Sequence, residues 1–247
     1  MRGWFPRFVF LTIGSVSIAY SVLGQEKIIV NPETIIDLAR NYYGREEALQ
    51  AVQTIYYEGE ILDPKGERKN GLVRIFLKKP YFQRMEIQMG RIVTVHCVNG
   101  IEGYHLQADT NSGRKKISVL PAKRVEELMI SSFENLNFLR NPKDRPREVK
   151  YLGEKEYQGE PCYKVLFQYG SGIHYTRLIH AKSGRVVMTI DHQGVEMHHR
   201  GEVFSKGIRF TKILETYKDN QHINSLDFGL VLLNKEIPDS FFDFPNL

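Results

Sequence analysis

The chain has 247 residues, of which 42% are hydrophobic and 26% are charged. This supply of apolar side chains supports a folded core and excludes a wholly disordered protein. The formal net charge is +5 and the longest basic run is Arg114 to Lys116, so the charge gives no reason to expect nucleic-acid binding. Two cysteines are too few for a disulfide-stapled mini-protein or a cysteine-based zinc module.

The N-terminus predicts a secretory signal peptide over residues 1–24. Arg2 and Arg7 form a positive region, and the residues from Phe8 to Gly24 carry no charge. Val22 and Gly24 are permitted residues for cleavage before Gln25, while an uncleaved anchor helix is the alternative. The sequence therefore predicts export and a mature domain over residues 25–247, and whether the peptide is cut stays open.

Two helices are predicted at the start of the mature domain. Asn31-Pro32-Glu33 combines a favoured N-cap, a first-turn proline and an acidic residue that complements the helix dipole. A wide apolar stripe from Ile35 to Tyr43 follows, and Gly44 is the expected C-cap. Residues 45–52 predict a second, short helix.

From Gln53 the apolar residues recur at every second position, which is typical of strands. Turn residues at Asp63–Gly66, Asn99–Gly100 and Asn111–Gly113 separate the apolar runs. Residues 53 to about 119 therefore predict a β-meander of about four to six strands. The basic residues 114–116 are most simply the solvated end of a strand.

A helical period returns between Pro121 and Leu139, and a polar loop is expected over 141–146. After Val149 the two-residue period resumes, with turn signals about every ten residues as far as Asn220. Because the apolar side of each strand must be covered, we expect one curved antiparallel sheet wrapped around about three helices. The predicted fold class is mainly β with α, or α+β, in a single domain.

The two cysteines have two open fates. Export permits a disulfide between Cys97 and Cys162. Strand alternation places Cys97 with Val93 and Val95 on an apolar face, and Cys162 with Lys164 on a polar face. We therefore favour two thiols, with the bridge as the alternative.

A sequence of motifs extends over most of residues 31–247. A helix ending at Tyr42–Gly44 is followed by Glu47–Val52, and further motifs follow in order at Tyr57–Glu60, Leu77–Pro80, Val98–Tyr104, Val149–Lys155, Gly159–Val165 and Pro238–Pro245. Their order resembles the LolA-like family of periplasmic lipoprotein carriers, whose fold is shared by LolB-like and RseB-like proteins.

The resemblance implies an open half-barrel of antiparallel strands over residues 25–247, with helices in its concave face. It also implies a hydrophobic cavity for acyl chains, and a role in outer-membrane lipoprotein sorting in the periplasm. The family's carriers latch the helical lid with an arginine on an early strand. Here Thr54–Ile61 contains no arginine, and Arg74 or Arg84 is the candidate substitute.

A hydrophobic ligand cavity needs apolar residues from the helices and the sheet, and no catalytic group. Methionine suits such a cavity because its flexible side chain adapts to irregular ligands. The alternative is that the same residues fill a closed core. The predicted cavity residues are Ile35, Ile36, Leu38, Tyr42, Tyr57, Val73, Ile75, Leu77, Met85, Ile87, Met89, Leu128, Met129 and Phe133.

No catalytic, metal or cofactor motif is recognisable in the sequence. His198 and His199 are adjacent on a predicted strand and point to opposite faces, so they cannot easily share a metal; His192 lies across the predicted hairpin from them. We expect exposed histidines, no metal site, no cofactor and no enzyme activity. The aromatic cluster Phe241–Pro245 is expected to pack against the end of the barrel, with docking to a partner or a membrane as the alternative.

The leading hypothesis is an exported, non-enzymatic carrier that holds the acyl chains of a lipoprotein or lipid. Its expected partners are that acylated cargo and a membrane-protein donor or acceptor, with no nucleic acid, and it is expected to be a monomer. The alternative is a periplasmic sensor or interaction module on the same scaffold that binds a membrane-protein partner.

Overall fold

The computed structural model describes residues 31–64, 69–140, 147–170 and 172–245. The predicted signal peptide, the predicted loop over 141–146 and part of the predicted turn at Asp63–Gly66 lie outside the described residues. Within the described ranges, no helix is long and apolar enough to cross a membrane.

The described helices are α1 (Pro32–Tyr43), α2 (Glu46–Gln50) and α3 (Ala122–Asn137), with a 3-10 turn at Asp239–Phe242. Asn31 Oδ1 accepts a hydrogen bond from the Glu33 N–H at 3.0 Å, and the Gly44 N–H donates to the Arg40 carbonyl at 3.1 Å. Both predicted caps of α1 are therefore confirmed, whereas α2 is shorter than the predicted helix over 45–52.

The first half of the sheet is a meander of six strands within the described residues, which confirms the predicted number. Turns at Asn99–Gly100 and Asn111–Gly113 join the last three of these strands, and the basic run enters the exposed final strand, as predicted. The strands are β1 (Thr54–Leu62), β2 (Lys69–Lys78), β3 (Phe82–Met89), β4 (Ile92–Val98), β5 (Gly103–Asp109) and β6 (Lys115–Val119).

The second half is a meander of seven strands in the described chain. It follows α3 and confirms the predicted return to a two-residue period. The strands are β7 (Glu148–Tyr157), β8 (Glu160–Gln168), β9 (His174–His180), β10 (Val186–Asp191), β11 (Glu196–Ser205), β12 (Ile208–Lys218) and β13 (Gln221–Leu233).

The two meanders form one continuous antiparallel sheet in the described part of the chain. Its order is β6-β5-β4-β3-β2-β1-β13-β12-β11-β10-β9-β8-β7, so the halves meet where β1 pairs with β13. The sheet does not close, because β6 and β7 are its two edges. α3 follows one edge strand in sequence and precedes the other, so it connects opposite edges of the sheet. The open half-barrel that the resemblance implied is confirmed.

Alternate residues of each strand lie on opposite faces of the sheet. We call the face that packs against α1, α2 and α3 the inner face. The outer face of β2–β5 is covered by the C-terminal segment, in which Phe242 is 1% exposed and packs near Tyr104 and Phe82. The aromatic cluster therefore packs on the protein, but the surface that it covers is the outer face of the sheet and not the end of the barrel that the sequence predicted.

Both cysteines are thiols and both are buried. Cys97 lies with Val93 and Val95 in an apolar cluster, as predicted. The polar face predicted for Cys162 is wrong, since this residue is 1% exposed among apolar residues of β9 and β10. Alternation within β8 alone does not reveal what the neighbouring strands contribute to the same face.

Candidate ligand-binding site

A closed apolar core occupies the middle of the inner face, where the three helices meet the strands beside the β1–β13 junction. Leu77, one of the predicted cavity residues, is 2% exposed in this cluster. Its other buried members are Leu49, Val52, Ile55, Leu136, Phe138, Ile208, Phe210, Val231 and Leu233.

A second apolar cluster joins α1 to the later strands. The predicted residues Ile35 and Ile36 are each 2% exposed and pack there with Val165, Phe167 and Ile179. The α1 residues therefore lie against β8 and β9 in the second half of the sheet, while Leu77 belongs to β2 in the first half.

A third apolar cluster consists of strand residues only. We call it the strand patch; it contains buried Ile61, Val73 and Phe228 with partly buried Tyr57, Ile75, Met85, Ile87, Leu214 and Leu226. Tyr57 and Ile75 also pack against the closed core, so the apolar surface is continuous between the two clusters. Met89 lies farther along the same face of β3 and is 49% exposed.

The remaining predicted residues lie on the helices. Leu128 and Phe133 are buried on α3 and Met129 is partly buried, while Leu38 and Tyr42 of α1 are partly exposed. The structure thus brings five of the fourteen predicted residues together in the strand patch (Tyr57, Val73, Ile75, Met85 and Ile87) and distributes the others. That the set lines an accessible ligand cavity stays a prediction.

A narrow cleft lies between the end of α1 and strands β10–β12. It is lined by Tyr42, Arg185, His199, Arg209 and their neighbours, and its free volume of about 10 Å³ is close to that of one water probe. The Tyr42 hydroxyl donates to Glu202 at 2.5 Å, and burial together with this carboxylate raises the pKa of Tyr42. This cleft has no room for an acyl chain.

Arg40 of α1 fixes the C-terminal end of α3. Its Nη1 donates to the carbonyls of Asn137 and Phe138, each at 2.7 Å, and its Nη2 lies 2.6 Å from Glu46 Oε2. Arg40 is 6% exposed, so these bonds are largely shielded from water. One side chain therefore joins α1, α2 and α3 into a single cover over the inner face.

A second polar contact joins α3 to the sheet. Glu134 of α3 is buried against Arg147, which precedes β7, and against Arg177 of β9. The Tyr169 hydroxyl donates to the same carboxylate. These charged groups therefore hold α3, and with it the helical cover, against the second half of the sheet.

The arginines predicted as substitutes for the family's latch contact other parts of the molecule. Arg74 pairs with Glu58 at 3.2 Å on the outer face. Arg84 donates to the Tyr104 hydroxyl at 2.8 Å and to the Phe241 carbonyl at 3.2 Å, so it anchors the C-terminal segment. The proposed substitution is therefore wrong: both residues alternate to the outer face, away from α3.

The described residues contain no group of three potential metal ligands, and the histidines of the β10–β11 hairpin contact other polar side chains instead. His192 Nε2 lies 3.2 Å from Glu127 Oε1 of α3, and His198 Nδ1 lies 2.7 Å from the Tyr157 hydroxyl. His199 lies on the opposite face from His198, between Thr189 and Thr211. These contacts correct the expectation of simply exposed histidines.

Comparison with known proteins identifies the architecture. A DUF1329 family protein from Desulfovibrio piger aligns over 87% of this chain and 98% of its own, with a TM-score of 0.56 and 9% identity. A putative outer membrane lipoprotein-sorting protein domain from Vibrio parahaemolyticus aligns over 86% and 97%, with a TM-score of 0.55 and 8% identity. A LolA superfamily protein from Nitrosomonas europaea aligns over 87% and 98%, with a TM-score of 0.52 and 10% identity.

The fold is LolA-like. The sequence itself matches no family model and no curated protein sequence. At these identities the likeness establishes the fold alone, and it confirms the architecture that the order of the motifs predicted.

Within this LolA-like sheet, sequence reasoning missed the charged residues that hold the helices. Arg40 and Glu134 lie on helices whose apolar stripes were recognised, and both are buried on the packed side. Glu134 follows Ile130 by four residues, so it lies on the same side of α3. The available signal was a carboxylate at a buried helical position. A buried carboxylate requires a cationic partner, but only the fold identifies that partner.

Proposed function

We propose that this protein is an exported, non-enzymatic carrier of acyl chains that serves lipoproteins or lipids in the periplasm. The observation that carries the proposal is the strand patch. It extends the apolar inner face beyond the closed core, and its members in the described residues all come from strands. The apolar surface then continues to the exposed Met89.

The similar folds support the same class of function. One of the solved structures that aligns over nearly its whole length is described as a putative outer membrane lipoprotein-sorting protein domain. A role in outer-membrane lipoprotein sorting is therefore the specific form of the proposal.

Apolar burial supplies enough free energy for such a carrier. Each methylene moved from water into an apolar site contributes about 0.8 kcal/mol, so a long acyl chain gains on the order of 10 kcal/mol before ordering costs. A chain that entered at the strand patch would meet Tyr57 and Ile75 and then the closed core beneath the helices. Full entry therefore requires α3 to move, and release requires it to return.

The test places a charge in the strand patch. Ile87→Glu should weaken binding of a fluorescent fatty-acid probe at least tenfold, since a carboxylate in an apolar site opposes burial of the chain. Leu72→Glu is the matched control. Leu72 lies in β2, next to the strand of Ile87, but it is 40% exposed on the outer face of the sheet.

Both variants are compared with the wild type by probe titration and by thermal unfolding. Equal loss of binding in the two folded variants, or no loss in either, would contradict the carrier function. If Ile87→Glu alone loses binding, mass spectrometry of an organic extract from the purified mature domain identifies the bound cargo.

A second candidate function is an interaction module for a membrane protein. The edge strand β6 favours it, since the edge of a sheet can accept an extended segment of another chain. Val119 at this edge is 70% exposed, and Ile101 in the neighbouring turn is 91% exposed. If this function is correct, Ile101→Asp with Val119→Asp abolishes recovery of one specific membrane protein and leaves acyl-probe binding intact.

A further inference from the structure

A buried cluster of charges lies between α3 and the second half of the sheet. The side chains of Glu134, Arg147 and Arg177 are 4%, 0% and 10% exposed. Arg147 Nη1 and the Tyr169 hydroxyl both donate to Glu134 Oε1. Arg177 Nη1 lies 2.7 Å from Glu134 Oε2. One carboxylate of a helix is therefore shared by two arginines and a tyrosine that lie outside that helix.

The aromatic rings of the sheet position the two arginines. Both guanidinium carbons lie 4.7 Å from the centre of the Phe167 ring, and that of Arg177 lies 5.4 Å from the centre of the Tyr175 ring. Stacking of this kind attracts a cation to the face of a ring. The rings of the sheet therefore hold both guanidinium groups independently of α3, although Arg147 Nη2 also donates to the Leu139 carbonyl just beyond this helix. A displacement of α3 would remove the Glu134 carboxylate from both.

The contact between Arg177 and Glu134 is close but poorly aligned. Among the described residues, Arg177 Nη1 and Glu134 Oε2 are buried atoms without a hydrogen bond, although they lie 2.7 Å apart. Such an ion pair lacks the alignment that makes a charge-assisted hydrogen bond strong. A better-placed oxyanion would therefore improve on Glu134 as the acceptor for Arg177.

Displacing α3 has an electrostatic consequence. The pKa of Arg147 is lowered, mainly by burial, and the carboxylates of Glu134 and Glu33 oppose this shift, so nearby anions help to keep the buried guanidinium charged. Removing one partner of a buried ion pair is strongly unfavourable. A ligand that moves α3 aside also moves the Glu134 carboxylate away from the two arginines. A ligand that carries its own negative group replaces this carboxylate and so avoids the cost.

We propose that Arg147, Arg177 and Tyr169 form a receptor for the anionic head group of the acyl ligand, and that Glu134 occupies this receptor when α3 is closed. The inference rests on the proposed carrier function and adds the class of ligand to it. That ligand is an acyl chain that ends in an oxyanion with two acceptor oxygens, such as a fatty carboxylate or an anionic phosphodiester. A guanidinium recognises such groups through its paired N–H donors.

The first test compares laurate with dodecanol, which have the same chain length and differ in charge. Isothermal titration calorimetry of the mature domain at pH 8 should show laurate binding about tenfold more tightly, the effect of a charged hydrogen-bond acceptor. Glu134→Gln should increase this preference about tenfold, because the amide no longer competes as an anion. Arg177→Gln should reduce the preference to near unity.

Glu126→Gln is the control on the same helix, since it also removes one negative charge from α3, whereas the ion pairs of Arg147 and Arg177 in the described residues are with Glu134. It should leave the laurate preference unchanged. Equal gains for laurate and dodecanol in Glu134→Gln would mean that the substitution only loosens α3, and would overturn the receptor. A thermal unfolding transition in each variant is the control that it folds.

The second test distinguishes the two sources of the oxyanion. Dihexanoyl phosphatidylglycerol is compared with dihexanoyl phosphatidylcholine in the same variants. A preference for the glycerol lipid alone assigns the receptor to an anionic phosphodiester, and a preference for laurate alone assigns it to a carboxylate. If neither pair shows a preference while dodecanol binds, the receptor is wrong and the carrier function stands. If no probe binds, both are wrong.

Discussion

His199 is a half-buried histidine whose two ring nitrogens each lie within hydrogen-bond distance of a threonine hydroxyl. Nε2 lies 3.0 Å from the Thr189 hydroxyl and Nδ1 lies 2.9 Å from the Thr211 hydroxyl. Burial, followed by the positive charges of Arg177 and its neighbours, lowers the pKa of His199 to about 3. The imidazole is therefore neutral in the folded protein at neutral pH and in mild acid.

This histidine predicts a loss of stability in mild acid. The unfolded chain binds a proton at a pKa of about 6.5 and the folded chain at about 3, so the free energy of unfolding falls as the pH drops through this window. From pH 7 to pH 5 the loss from this group is about 2 kcal/mol. Urea unfolding of wild type and His199→Gln at both values measures it.

The substituted protein should lose about 2 kcal/mol less than the wild type between pH 7 and pH 5, because its glutamine does not titrate. The other titrating groups are common to both proteins and cancel in the comparison. Parallel declines would mean that His199 does not govern the acid response.

At the scale of elements, Arg40 links three helices through one guanidinium. It satisfies two carbonyls at the end of α3, Asn137 and Phe138, while pairing with Glu46 at the start of α2. Helix ends leave carbonyls without intrahelical partners, and here a long side chain from another helix supplies the donors. The helical cover therefore depends on a contact between elements that are far apart in sequence.

Replacing this arginine should loosen the cover. Arg40→Met keeps the apolar stem and removes the donors, which leaves carbonyls unpaired and should lower the free energy of unfolding by about 2–3 kcal/mol. Arg45→Met is the control, since Arg45 is exposed and its side chain makes no cap hydrogen bond. Chemical denaturation reports the stability, and amide exchange in α3 reports the loosening. Equal effects of the two substitutions would refute the role of Arg40.

The elements themselves were largely predictable because their signals are local. The cap at Asn31, the turn at Asn99–Gly100 and the alternation of β3 each depend on residues close in sequence. The contacts of Arg40 and Glu134 were not predictable, because their partners lie elsewhere in the fold and alternation does not identify which strand faces which helix. Arg84, which was proposed as a substitute for the latch arginine, instead anchors the C-terminal segment on the outer face.

At the scale of the whole fold, the sheet of the described residues is two meanders joined through β1 and β13. The register shifts between Glu58 and Gly59, where two strands of opposite halves approach closely. A Cβ built on Gly59 would lie 2.4 Å from the Asp227 carbonyl oxygen, which no real Cβ contact allows. The absence of a side chain at this position is therefore part of what lets the halves join.

Gly59→Ala should therefore strain the junction rather than one strand. The Asp227 backbone has to move away, so we expect the free energy of unfolding to fall by about 2 kcal/mol, within the range for overpacked sites. Gly229→Ala is the matched control, since it lies in β13 opposite the same irregularity and a Cβ there meets no atom within 4 Å. Urea unfolding of both variants measures the difference.

Because the halves are joined through this pairing and through the helices that bridge them, a strained junction should also make unfolding less cooperative, with a lower denaturant slope in Gly59→Ala. Two variants of equal stability and slope would show that the junction tolerates a methyl group.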